Sequence, residues 1–152
     1  MTTVKINNEI NLNYPDGFKE MGEEELTRYF GTPKDRWGVF NAADHIILSV
    51  SWSKAGFMSD TDTALFEITA RLRRRLVNYQ QITAYDIKIG KTKARGVRFE
   101  YRVNDTARVH VGDLVVFKNK GKYYAVYYIT RKHNAAISRP AFKETLDSIT
   151  VG

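Results

Sequence analysis

Two neighbouring segments carry apolar or aromatic side chains on both of their alternating faces, Leu114 to Phe117 and Tyr123 to Ile129. Successive side chains of a strand point to opposite faces, so both faces of such a pair must be covered. Between the segments, Asn119-Lys120-Gly121-Lys122 has the composition of a tight turn, with glycine where a positive φ is needed. We therefore predict a central antiparallel strand pair with helices above and below it.

The second half of the chain reads as a meander of four long strands. The candidates are rich in Val, Ile, Tyr and Phe, which favour strands, and short breaks separate them. They are Thr83 to Lys91, Arg95 to Asn104, Ala107 to Asn119 and Lys122 to Lys132. Asn104-Asp105 marks a second turn, and hairpin connections make this portion antiparallel.

The N-terminal region begins with a short alternating strand, Ile10 to Tyr14, followed by the turn Pro15-Asp16-Gly17. We expect the strand to leave the sheet at this corner. A short helix candidate follows at Glu23, because three glutamates in a first turn complement the positive end of the helix dipole. Gly31 and Pro33 end it.

A hairpin and a long helix are expected next. Trp37 to Asn41 and His45 to Trp52 alternate as two strands joined across Ala42-Ala43-Asp44. Lys54 to Asp60 is expected to be a loop, and Asp60-Thr61-Asp62 offers N-cap residues for a helix that we extend to about Tyr79. Its apolar stripe is Leu65, Ile68, Leu72, Leu76 and Tyr79.

A last helix is predicted to start near Ser138 or Arg139, because Pro140 is tolerated in a first turn, where backbone amides have no helical partner. Its inward stripe is Phe142, Leu146 and Ile149. Without a linker or an internal repeat, residues 1–152 are expected to form one domain.

The order of these elements resembles the PsbP-like superfamily. The likeness rests on Tyr14 to Phe18, on Tyr123 to Tyr128 and on Phe142 to Ile149. That superfamily includes the photosystem II protein PsbP, the Mog family of Ran-binding proteins and bacterial DcrB-like relatives, and the chain resembles a bacterial-type member. The resemblance implies an α+β fold, an α/β/α sandwich whose central antiparallel sheet has about six to seven strands with helices on both faces. It also implies an accessory or binding role, and it assigns no functional residue.

Charge is distributed unevenly along the chain. Residues 1–70 contain 6 Lys and Arg against 11 Asp and Glu, whereas residues 71–152 contain 18 against 6, and the net charge is +7. Such asymmetry indicates a nucleic-acid or acidic-protein partner, or two halves that offset each other within one folded unit. No apolar run is long enough for a transmembrane helix. The N-terminus lacks a signal-peptide core, so a cytoplasmic location is predicted, with an extracytoplasmic one open if a leader was removed.

Catalytic and ligand-binding motifs are missing from the sequence. His45, His110 and His133 are far apart and the chain has no cysteine, so neither a metal site nor a cofactor is predicted. Phosphate-binding glycine loops and nucleophile elbows are also missing. His110, with Arg108 and Asp113 nearby in sequence, is read as a half-exposed strand residue and not as a proton-transfer group.

These sequence features lead to three hypotheses about function. The leading hypothesis is a non-enzymatic accessory domain that docks a protein partner through its basic half and loops. The second is a module that binds RNA or single-stranded DNA through phosphate contacts and stacking of bases on aromatic rings. The third is an enzyme whose pocket is assembled from distant residues. Candidate residues for a partner or a polyanion are Arg71, Arg74, Arg75, Arg98 and Arg102.

Overall fold

A computed structural model of the chain describes residues 1–56, 59–102 and 108–151. Its elements in chain order are β1 (Thr2–Ile6), β2 (Ile10–Tyr14), β3 (Lys19–Glu20), α1 (Glu23–Phe30), β4 (Arg36–Asn41), β5 (Ile46–Lys54), α2 (Thr61–Arg75), β6 (Val77–Ile89), β7 (Thr92–Arg102), β8 (Val109–Asn119), β9 (Lys122–Arg131), a 3₁₀ turn (Lys132–Asn134), α3 (Ala135–Asp147) and β10 (Thr150–Val151). The predicted turn at Asn104-Asp105 lies outside the described residues, as do Phe57 and Met58 of the predicted loop.

Seven strands form the central sheet in the order β3-β4-β5-β9-β8-β7-β6, and every neighbouring pair is antiparallel. The predicted central pair is β8 and β9, where Leu114 and Val126 are fully buried. Lys120 and Gly121 join them with φ of 49° and 74°. Positive φ at both central positions matches the twist of a two-residue hairpin, so the predicted turn is confirmed.

Helices cover both faces of this sheet, which confirms the predicted sandwich. On one face α2 packs against β6, β7 and β8, and Phe30 of α1 contacts the ring of Tyr127. On the other face α3 packs against β9, with Phe142 stacked on Tyr128 at 4.7 Å between ring centroids. We call these the α1/α2 face and the α3 face.

The strand before the Pro15-Gly17 turn belongs to a second sheet, which was not predicted from the sequence. Strand β2 lies between β1 and β10 in a three-stranded sheet, and its buried Ile10, Leu12 and Tyr14 join the core of the α3 face. After the turn, β3 pairs with β4 at the edge of the central sheet before α1 begins. The turn therefore connects two sheets.

Helix α2 is shorter than predicted, and β6 is correspondingly longer. The helix ends at Arg75, Leu76 is extended, and β6 begins at Val77 where Tyr79 was expected to be helical. Pairing with β7 determines where the helix ends and β6 begins, since Val77 lies opposite Arg102 and Gln80 opposite Glu100. Tyr79 still contacts the predicted core by stacking on Phe99, so the apolar periodicity continues after the helix has ended.

Helix α3 starts earlier than predicted. The chain leaves β9 through the 3₁₀ turn and becomes helical at Ala135, which places Pro140 inside the helix and not in its first turn. Ala135 and Ser138 are buried, and the Ser138 carbonyl accepts a hydrogen bond from the Tyr128 hydroxyl. These contacts favour an early helix start despite the amide that Pro140 lacks. The predicted inward residues Phe142, Leu146 and Ile149 are all buried, Ile149 just after the helix end.

Candidate functional site

A cleft of about 600 Å³ opens on the α1/α2 face, at the end of the central sheet where β6 begins and β7 ends. Its lining is strongly basic. The cationic and imidazole side chains among the described lining residues are Arg28, Arg75, Arg102, Arg108, Arg131, His45 and His110. We call it the arginine cleft.

Strand register builds the polar part of the cleft floor. His110 of β8 lies directly opposite Tyr101 of β7 on one side and opposite Arg131 of β9 on the other. Directly opposed residues share one face of a sheet, so the three side chains form a row. The Tyr101 and His110 rings stack at 5.4 Å between centroids.

An apolar row runs beside the polar one. Ile129 of β9 is paired with Ile47 of β5, which is paired with Phe40 of β4, and all three line the cleft. Apolar side chains next to charged groups lower the local dielectric constant, which strengthens electrostatic attraction to a bound ion.

The ends of two helices form the walls. Arg75 in the last turn of α2 donates a hydrogen bond to the carbonyl oxygen of Tyr29, near the end of α1. A cation is favourable there because the last carbonyls of a helix carry partial negative charge. This bond fixes the α2 terminus, with Arg75 and Leu76, beside Arg28 and Tyr29 of α1.

Positive charge dominates the described lining of the cleft. No Asp or Glu is found among its described lining residues, and Arg102 and Arg131 form no ion pair within the described parts of the chain. Burial, then the charges of Arg131, Arg108 and His45, lower the pKa of His110 below its usual value. The His110 Nδ1 and Arg131 Nε atoms are buried and have no hydrogen-bond partner.

A half-buried arginine extends the basic region beneath α1. Arg36 lies over the Phe30 ring at 4.0 Å and near the Tyr127 ring at 4.9 Å, and its Nη1 donates to Ser49 Oγ at 3.1 Å. Burial is the largest cause that lowers its pKa, and Arg75 and Arg71 lower it further by charge repulsion.

The predicted binding residues are not gathered in one place. Arg75 and Arg102 line the cleft, whereas Arg71 and Arg74 are exposed along the last turns of α2. Arg98 lies on the α3 face, where Nε and Nη2 donate to the Asp113 carboxylate at 3.1 and 3.2 Å. The structure therefore separates Arg98 from the other four.

Two of the lining arginines, Arg28 and Arg131, were not singled out from the sequence. The position of Arg131 next to His110 could have been predicted from the sequence. The two-residue turn at Lys120-Gly121 fixes the β8/β9 register, and counting outward from it places Arg131 opposite His110.

Proton-transfer chemistry has little support in the cleft. His110 has a perturbed pKa, but the described lining residues offer no carboxylate, serine or threonine to act with it. No group of three or more His, Asp or Glu within the described ranges is placed to hold a metal ion.

No helix in the described parts is long and apolar enough to cross a membrane. The cytoplasmic location and the single-domain organisation stay predictions.

Solved structures with the same fold come from distant proteins. The cyanobacterial PsbP protein CyanoP from Synechocystis is 13% identical with a TM-score of 0.72, over 99% of this chain and 92% of that one. The Ran-binding protein Mog1p of Saccharomyces cerevisiae is 11% identical with a TM-score of 0.68, over 99% and 94%. LpqN of Mycobacterium tuberculosis, involved in cell envelope biogenesis, is 17% identical with a TM-score of 0.65, over 93% and 82%. These similarities confirm the predicted PsbP-like fold.

Sequence comparison adds a family. No curated protein matches the chain. Residues 44–151, however, match the family described as the serine/threonine kinase C-terminal domain, and this range contains β5 to β10 and most of the arginine cleft. Since the match spans most of the sequence, the chain belongs to the serine/threonine kinase C-terminal domain family.

Proposed function

We propose that the chain is a non-catalytic binding domain that docks an acidic segment of a partner protein in the arginine cleft. One observation carries the proposal: a concave site lined by five arginines and two histidines has no acidic side chain among its described lining residues. Complementary charge steers association and fixes the orientation of a partner, so an acidic segment suits this surface.

The fold gives independent support. Among proteins that share it is Mog1p, a Ran-binding protein. A fold hosts different functions in different families, so the neighbour supports a protein-binding role in general and no particular partner.

Binding of RNA or single-stranded DNA is the second candidate, because Arg71 and Arg74 extend the positive charge along α2. Sequence-tolerant binding of single strands also needs exposed aromatic rings on which bases stack. Tyr101, Tyr123 and Tyr124, which interleave with basic residues along the strands, are buried. The described lining of the cleft offers one exposed ring, that of Tyr29, which is too few for stacking of successive bases. A protein segment therefore fits the cleft better.

Fluorescence anisotropy with a labelled decapeptide of alternating Gly and Glu tests the proposal. We expect salt-dependent binding that weakens at least about tenfold in the double variant Arg102→Gln/Arg131→Gln. The matched control is Lys91→Gln/Lys93→Gln, which removes two exposed charges from the β6–β7 turn and the start of β7, at the end of β7 opposite to the cleft.

Two results would overturn the proposal. If the control weakens binding as much as the cleft variant, the peptide responds to net charge and not to the cleft. If a labelled single-stranded RNA decamer binds more tightly than the peptide at physiological salt and depends on the same arginines, the polyanion function replaces the protein-docking one.

A further inference from the structure

We propose that the arginine cleft is a phosphoryl-binding site that recognises a phosphorylated side chain on the docked segment. This inference rests on the proposed function and adds the chemical group that the cleft selects. It follows from the unpaired polar atoms of the floor, the surplus of arginines and the apolar row beside them.

The floor contains buried polar atoms that lack partners. Arg131 Nε is an obligatory donor, and His110 Nδ1 becomes one when the ring carries its proton there. The two residues are direct cross-strand partners on one face, so these atoms belong to adjacent side chains. Buried donors in folded proteins nearly always have an acceptor. An oxygen-rich group entering the cleft would supply it.

The cleft contains more arginines than are required to bind one carboxylate. A single guanidinium satisfies a carboxylate through two parallel hydrogen bonds. Here Arg75, Arg102 and Arg131 line one cleft, and Arg28 contributes a fourth guanidinium whose contact with Glu24 is 4.0 Å long and solvent-exposed. A phosphoryl group carries close to two negative charges and three acceptor oxygens, which matches several converging arginines.

The shape of the cleft accommodates more than an isolated ion. Its volume of about 600 Å³ lies in the range of sites for small organic ligands. Phe40, Ile47 and Ile129 form an apolar surface next to the polar row, and Tyr29 stands at the wall with 41% of its surface exposed. The carbon atoms of a modified side chain and its flanking residues would pack there, whereas free phosphate would leave this surface uncovered.

Three labelled peptides provide the test. They share neutral flanks of Gly and Ala and carry phosphoserine, glutamate or serine at the centre. With the unmodified protein we expect the phosphoserine peptide to bind at least about tenfold more tightly than the glutamate peptide and the serine peptide to bind negligibly. Arg131→Gln should abolish the preference for phosphoserine, and Lys91→Gln/Lys93→Gln should keep it.

A folding control accompanies the variants. If Arg131→Gln is not folded by circular dichroism, Arg102→Gln takes its place, because Arg102 lies at the strand end. Inorganic phosphate is titrated as a competitor, and it should displace the phosphoserine peptide only at concentrations at least about tenfold above the Kd of the peptide.

The outcomes separate the two proposals. Equal binding of the phosphoserine and glutamate peptides overturns the phosphoryl site and leaves the proposed docking function intact. Inorganic phosphate that binds as tightly as the phosphoserine peptide overturns recognition of a modified side chain. If none of the three peptides and no Gly-Glu decapeptide binds, both proposals fail.

Discussion

The ring of Tyr85 on β6 packs directly against the backbone of its cross-strand partner Gly96 on β7, in the space that a side chain at position 96 would fill. A Cβ at Gly96 would lie 2.9 Å from the ring atom Cδ2 and closer still to Cε2 and Cζ. This placement lets the Tyr85 hydroxyl donate to Asp113 Oδ2 on β8 at 2.7 Å. Arg98 donates to the same carboxylate, so Tyr85, Arg98 and Asp113 form one hydrogen-bond network on the α3 face.

Replacing Gly96 by alanine should therefore destabilise the protein by about 2–3 kcal/mol, because the Tyr85 ring must move and its hydrogen bond to Asp113 is lost. Urea unfolding measures the change. The control is Gly56→Ala, where the nearest atom to an added Cβ among the described residues is Ser59 Oγ at 3.8 Å. If Gly96→Ala loses no more unfolding free energy than Gly56→Ala, the Tyr85 ring moves freely.

The Arg98–Asp113 pair gives a second prediction. Asp113 is buried and the Arg98 side chain is only 23% exposed. Asp113→Leu should cost about 3 kcal/mol, since it leaves a largely buried guanidinium without a counter-charge. The double variant Arg98→Met/Asp113→Leu should be more stable than Asp113→Leu alone. Additive losses in this double-mutant cycle would show that the two charges do not interact.

Local sequence patterns predicted the sheet well because its strands are joined by short turns. Once Lys120 and Gly121 are recognised as a two-residue turn, the register of β8 against β9 follows, and alternation decides which residues share a face. The end of α2 could not be predicted in this way. Leu76 and Tyr79 continue the helical apolar period although they lie beyond the helix, and pairing with β7 overrides it.

The candidate site was predictable in part. Arg75 and Arg102 were chosen as members of the basic half, but charge along the sequence does not tell that Arg98 points to the α3 face and pairs with Asp113. Arg28 reaches the cleft only because the end of α1 lies beside the end of α2. Such helix positions depend on packing between elements distant in sequence, which local patterns do not encode.

Glu9 provides a pH-dependent prediction. Its carboxylate accepts hydrogen bonds from Lys122 at 2.8 Å and from the Tyr124 hydroxyl at 2.6 Å, and these lower its pKa below the usual 4.5. Because the folded pKa is below the unfolded one, the stabilisation is present above about pH 4.5 and is lost as the pH falls through the folded pKa.

In Tyr124→Phe the pKa of Glu9 should rise towards its usual value, since one of its two main hydrogen bonds is gone. A carbon-detected NMR titration of the carboxyl group measures this. Tyr123→Phe is the matched control, because that hydroxyl contacts Ser59 and not Glu9. An unchanged Glu9 pKa in Tyr124→Phe would assign the shift to Lys122 alone.

His110 should make stability fall on mild acidification. Burial and the charges of Arg131, Arg108 and His45 lower its pKa in the folded protein, and Tyr101 from β7 and Arg75 from α2 share its cleft. The unfolded chain therefore takes up a proton at higher pH than the folded one, so the free energy of unfolding decreases as the pH falls from about 7 through the folded pKa. Urea unfolding at pH 7.5 and 5.5 measures the loss of stability, which should shrink in His110→Gln but not in the control His133→Gln, an exposed histidine of the 3₁₀ turn.

A bound anion should shift the pKa of His110 in the opposite direction, because it favours the protonated ring. The Gly-Glu decapeptide, whose carboxylates stay charged over this range, should accordingly bind more tightly at pH 5.5 than at 7.5, and this gain should disappear in His110→Gln.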